Sequence, residues 1–177
     1  MTVMDSMEGV MLTMVLMLAV SMDLTSSRIP NWLTFPAMGF ALAGHAWLNG
    51  IDGIFFSLAG LGTGLGLFLF IYLAGGIGAG DVKLMASIGA FVGVFGVLSC
   101  ALMAILIGGL YAIGAMGYQW GVASAGQRLI YAAYGAVTIG GSAAWSRELA
   151  LPFKLRYGLA IAAGTLLYQL GIHPFEG

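Results

Sequence analysis

The chain has 177 residues, 60% of them hydrophobic and only 7% charged, with a formal net charge of -1. A soluble domain of this size carries roughly a quarter of its residues charged, so the composition excludes an ordinary water-soluble globule. No basic patch exists to suggest a nucleic-acid partner, and none is expected.

The apolar stretches are of helix length rather than the alternating segments of about ten residues found in outer-membrane barrels. They predict an all-α, polytopic membrane protein forming one domain over residues 1–177. The first stretch runs from about Val10 to Met22. The N-terminus has no basic region and its first charges are Asp5 and Glu8, so this stretch reads as a permanent span rather than a cleavable signal. Asp23 follows directly. Pro30 then stops helical continuation and Asn31 suits the cap of the next helix, which makes a short, stiff hairpin behind Asp23.

The second span is predicted over Trp32–Leu48 and the third over Gly53–Ala74, where Gly60, Gly62, Gly64 and Gly66 form overlapping small-xxx-small pairs suited to a close helix contact. A glycine-rich loop, Gly75–Gly80, leads into Asp81. The uncharged stretch Leu84–Tyr118 would be about 50 Å long as one straight helix, against a hydrocarbon core of about 30 Å. It is expected to fold as two spans that turn at Gly93–Gly96. The connection 119–156 is expected to be cytoplasmic or interfacial. Within it, the uncharged Leu129–Ala144 is too short and glycine-rich to read as a span. The last span covers Tyr157–Leu170, for a total of six.

With six spans, the odd-numbered connections hold Arg28, Lys83, Arg128, Arg147, Lys154 and Arg156, which is every Lys and Arg in the chain. The other side carries Asp5, Glu8, Asp52 and Glu176. Basic connections stay in the cytoplasm, so both termini are expected outside, with Asp23 and Asp81 together on the cytoplasmic side. The limb from Asp81 to a turn near Gly93 rises only about 18 Å. Asp81 is therefore expected below the membrane surface, in a wet cavity.

An acid at the edge of a bilayer is expensive and is a functional candidate by default. Taken alone, Asp81 reads as a helix N-cap, and Asp23 as a helix-end residue or a partner for Arg28. Together they make a sharper case. Two carboxyl groups sharing a site cannot both ionise cheaply, so one keeps its proton and the pair titrates as a unit. One residue type then supplies an acid and a base, as in aspartic proteases. The loop glycines do not form a nucleotide site, because no Gly-Lys-Ser/Thr follows them. Lys83 either anchors to lipid phosphate or tunes the pair electrostatically. His45 and His173 lack a ligand set, and no metal or cofactor is expected. Cys100, the single cysteine, reads as a small packing residue.

The segment with Asp23 and Arg28-Ile29-Pro30-Asn31-Trp32-Leu33-Thr34, and the segment Gly78-Ala79-Gly80-Asp81-Val82-Lys83-Leu84-Met85, resemble the two motifs of the type IV prepilin peptidase family, the bacterial GxGD aspartyl proteases. Leu155-Arg156-Tyr157-Gly158-Leu159-Ala160-Ile161-Ala162-Ala163-Gly164 resembles that family's last span. The resemblance implies that Asp23 and Asp81 are the catalytic pair, with Gly78, Gly80, Lys83, Arg28, Pro30 and Asn31 shaping the site. It implies cleavage of a prepilin leader after a glycine at the cytoplasmic face of the bacterial inner membrane. The partners would be the prepilin and membrane lipid, with self-association left open. The chain differs from larger members, which carry a cysteine-bearing cytoplasmic domain near the N-terminus and also methylate the new pilin amine. It resembles the short peptidases of tight-adherence (Flp) pilus systems, and N-methylation is not expected of it. Two other classes compete with this reading. One is a proton-coupled transporter with the aspartates as relay groups. The other is a non-catalytic assembly subunit of a secretion or pilus system.

Overall fold

The computed structural model describes residues 3–26, 29–73, 77–120 and 157–172. Arg28 and the stretch Leu129–Ala144 lie outside the described residues. The described chain forms four helices, α1 (Val3–Ser26), α2 (Asn31–Leu73), α3 (Ala79–Trp120) and α4 (Tyr157–Gln169), and no strand occurs among the described residues.

The two longest helices are each interrupted at one glycine. Gly50 breaks α2 with φ 59° and ψ -131°, and Gly93 breaks α3 with φ 71° and ψ -170°. Positive φ is inexpensive only without a Cβ. Both breaks reverse the chain. His45 and Phe56 stack across the first, with ring centroids 4.9 Å apart, whereas a straight helix would separate them by about 16 Å. Across the second, a Cβ on Gly64 would meet both the Met85 carbonyl and the Val97 side chain, two residues of α3 that a straight helix would hold about 18 Å apart. Each long helix is therefore a hairpin of two limbs. The turn expected near Gly93–Gly96 falls at Gly93; Gly96 lies inside the following limb, packed against Val92 and Tyr168.

Three helices are long and apolar enough to cross a membrane, over Met7–Ser26, Asn31–Leu73 and Ala79–Ala112. Their outer faces expose large apolar side chains such as Trp47 (86% exposed), Phe70 and Leu110, as expected of a protein solvated by lipid.

The interior is built on small residues. The second limb of α2 runs antiparallel to the first limb of α3: Ser57 Oγ donates to the Ala90 carbonyl at 2.9 Å, and Gly60 and Gly64 lie against Gly89 and Met85. The expected close contact in this limb uses only Gly60 and Gly64. Gly62 and Gly66 have open space around them. Residues four apart share a helix face, while those two apart point about 160° away from each other around the axis.

The last helix closes the bundle. Gly164 packs on the Cys100 carbonyl and the Ala104 nitrogen of α3, so Cys100 is a buried packing residue at a helix contact. At the far end of α4, Gln169 ties to α1: its Nε2 donates to the Gly9 carbonyl at 3.2 Å, and its Oε1 accepts from Thr13 Oγ1 at 3.0 Å. Nearby, Glu8 of α1 meets His45 of α2 at 3.7 Å, while His45 Nδ1 donates to the Ala41 carbonyl at 2.9 Å.

Candidate active site

Asp23 lies in the last turn of α1 and Asp81 in the first turn of α3, and they are 7% and 8% exposed. Three contacts bring their neighbourhoods to the same end of the bundle.

The first lies within the glycine loop. Asp81 Oδ2 accepts the Gly78 N–H at 3.0 Å, while the Asp81 and Val82 N–H groups donate to the Gly78 carbonyl at 3.1 and 3.4 Å. The helix thus begins at Ala79, with Gly78 in the cap position. Asp81 is the third helical residue and reaches back to the cap, the acidic half of a capping box. This differs from the N-cap expected of Asp81. Gly78 has no side chain to cap with, so the backbone of Gly78 and the carboxylate of Asp81 satisfy one another. The bond fixes one carboxylate oxygen and so orients the group.

The second contact joins the two motifs. A Cβ on Gly80 would stand 3.1 Å from Ile29 Cβ and 3.2 Å from Ile29 N. A bare backbone at Gly80 lets the α1–α2 connection lie this close to the turn that carries Asp81 without any shift of Ile29. Beside it, Lys83 Nζ donates to Asn31 Oδ1 at 2.8 Å and sits 5.8 Å from the centre of the Phe35 ring. Asn31 was expected to cap α2. It is instead the first residue of that helix, and its side-chain oxygen receives Lys83. Pro30 precedes it, and the Pro30 carbonyl accepts the Leu33 N–H at 3.2 Å. The Lys83 ammonium therefore pins one motif to the other.

The third contact comes from α4, whose residues were read only as the last span. A Cβ on Gly158 would stand 2.8 Å from Asp23 Oδ2. The preceding residue, Tyr157, lies close enough to Asp81 to feel its charge. Asp23 thus lies against the first turn of α4, at the end of the bundle where the Asp81 loop meets the α1–α2 connection. Among the described residues, no group of three or more His, Cys, Asp or Glu side chains clusters as a metal site would.

An apolar groove of about 310 Å³ opens beside this turn, lined by Leu24, Ile107, Tyr111, Leu159, Ala160 and Ala163. Leu24 follows Asp23, and Leu159 follows Gly158.

The fold and site thus define a class: a helical membrane protein that gathers two buried acids at one end of its bundle. The family model of the type IV leader peptidase family matches residues 10–113, more than half of the chain, and the chain belongs to that family. The match includes Asp23, the Pro30–Asn31 connection and the Gly78–Lys83 loop, and it ends before α4. A leader-peptidase-like function, with prepilins as the general class of substrate, follows from membership. Comparison with curated proteins gives no match, and neither does comparison with solved structures.

Proposed function

We propose that the chain is an intramembrane aspartyl endopeptidase that removes the leader from type IV, Flp-like prepilins at the cytoplasmic face of the bacterial inner membrane, with Asp23 and Asp81 as its catalytic pair. The observation that carries this reading is the convergence of the two acid-bearing motifs through Gly80–Ile29 and Lys83–Asn31, at the end of the bundle where Asp23 lies against Gly158. In this reading α2 and α3 each cross the membrane twice and α1 and α4 once, giving six crossings with both termini outside. The basic residues of the odd connections support that orientation.

The chemistry follows from a shared proton. The ionised carboxylate takes a proton from water as the oxygen attacks the scissile carbonyl carbon. The protonated carboxyl donates its proton to the carbonyl oxygen, and a neutral tetrahedral gem-diol results. Return of a proton to the amide nitrogen breaks the C–N bond and frees the leader carboxyl and the pilin amine. The limb of α3 from Ala79 to Gly93 rises only about 21 Å, less than a hydrocarbon core, which supports a site sunk below the cytoplasmic surface. A peptide helix would have to unwind there, and irregular backbone is tolerated at that depth only against protein or water.

Purified protein reconstituted with a prepilin, followed by mass measurement of the pilin N-terminus, tests the proposal. Wild type should release the leader, and Asp23→Asn and Asp81→Asn should not, although both remain folded. Full cleavage by either variant would sink the reading.

A further inference from the structure

We infer that the first turn of α4 is a third component of the site, in which Gly158 and Tyr157 act as positioning residues that set how Asp23 and Asp81 face one another. The inference rests on the proposed catalytic pair and extends beyond the stretch matched by the family.

Successive residues of a helix point about 100° apart, so Tyr157 and Gly158 necessarily face different neighbours. Gly158 faces α1, and Asp23 occupies the space a side chain would fill. Tyr157 faces α3. A Cβ on Gly108 would stand 2.7 to 2.9 Å from its Cζ, hydroxyl and Cε2 atoms, so the ring is pressed onto the second limb of α3 at a place only glycine leaves open. The ring cannot swing freely, and its hydroxyl is held beside Gly108. Asp81, on the first limb of the same helix, is near enough for its charge to act on that hydroxyl. The turn thus stands between the two acid-bearing helices, with a missing side chain on one side and a pinned phenol on the other.

The titratable groups near this turn, among the described residues, are Asp23 on α1 and Asp81, Lys83 and Tyr111 on α3, and Tyr111 is exposed in the groove. The Lys83 ammonium is engaged with Asn31 and Phe35, leaving the two acids as the groups the turn governs. Gly108 holds the Tyr157 phenol on the α3 side of the turn, and a backbone shelf at Gly158 fixes how near Asp23 can come. Spacing and proton sharing are then set by one rigid element rather than by two independent side chains.

The test is leader cleavage in proteoliposomes, with rates normalised to folded protein by size-exclusion and thermal unfolding. Gly158→Ala meets only the Asp23 side chain and no backbone, so thermal stability should hold while kcat falls about 100-fold, the usual result of misplacing a reacting group by about an ångström. Tyr157→Phe keeps the ring on Gly108 and removes the hydroxyl. It should lower kcat about tenfold at unchanged KM, as expected for loss of one polar group near a reacting pair, and it should displace a limb of the pH–rate profile. If Tyr157→Phe does not fold, Gly108→Ala disturbs the ring from the α3 side and should give the same kcat and pH signature.

Wild-type kcat and pH profile in Tyr157→Phe, or in Gly108→Ala where that stands in for it, would overturn the role of the phenol. Wild-type kcat in Gly158→Ala would overturn that of the shelf. Either result with Asp23→Asn and Asp81→Asn inactive rejects this inference alone. Activity in an aspartate variant rejects the catalytic pair beneath it.

Discussion

At one end of α1, Asp23 meets the first turn of α4 within reach of the Asp81 loop; at the other, Glu8 meets His45 beneath a stacked Phe56. Both ends bury ionisable groups in an apolar bundle, and the pairing chemistry separates them. An acid and an imidazole can satisfy each other by moving a proton from one to the other. Two acids have no such resting arrangement, because one must stay protonated while the other is charged. The Glu8–His45 end is therefore suited to holding helices together, and the Asp23–Asp81 end to passing a proton.

Variants at the two ends should break apart in different assays. The largest effect is expected from Asp23→Asn or Asp81→Asn, with leader cleavage falling by at least about 1000-fold and little change in the thermal unfolding midpoint in detergent. Next, near the chain reversals, Gly60→Ala forces a Cβ into the Gly89 backbone and should cost about 1–3 kcal/mol in denaturant unfolding. Gly62→Ala, with open space around it, should stay within about 0.5 kcal/mol. His45→Ala removes the Phe56 stack and the bond to Ala41. It should lower stability by about 1–2 kcal/mol while the folded protein keeps its cleavage rate, and loss of rate without loss of stability would contradict the division drawn here. A small change is also expected for Lys83→Met: under about 1 kcal/mol, since the bond to Asn31 is exposed, with cleavage reduced no more than a few fold.

Much of this arrangement was legible in the sequence because it follows from length. A run of uncharged residues longer than a bilayer is thick must turn, and glycine is the residue that turns it, which placed the break within Gly93–Gly96. Asp23 and Asp81 stood out because charge is scarce. What escaped the sequence depends on partners far away along the chain. Gly158 looks like any small residue in an apolar span until the end of α1 is laid against it. Tyr157 acquires meaning only from Gly108 and Asp81. Glu8 and His45 were each set aside singly, since nothing local announces that α1 and the first limb of α2 bring them face to face. The start of α3 was misjudged for a related reason: a helix capped by backbone and by a carboxylate reaching backward carries no side-chain signal at its first residue.

Among the described residues, the seams are unequal. α2, α3 and α4 are knit along their lengths through backbone-close contacts at glycine, whereas α1 touches each of the others far more sparingly. That loosely moored helix carries one of the two acids. If the proposed function holds, a polypeptide arriving sideways through lipid would meet a hull with one plank lightly nailed, and lifting that plank would uncover the space beside Asp23.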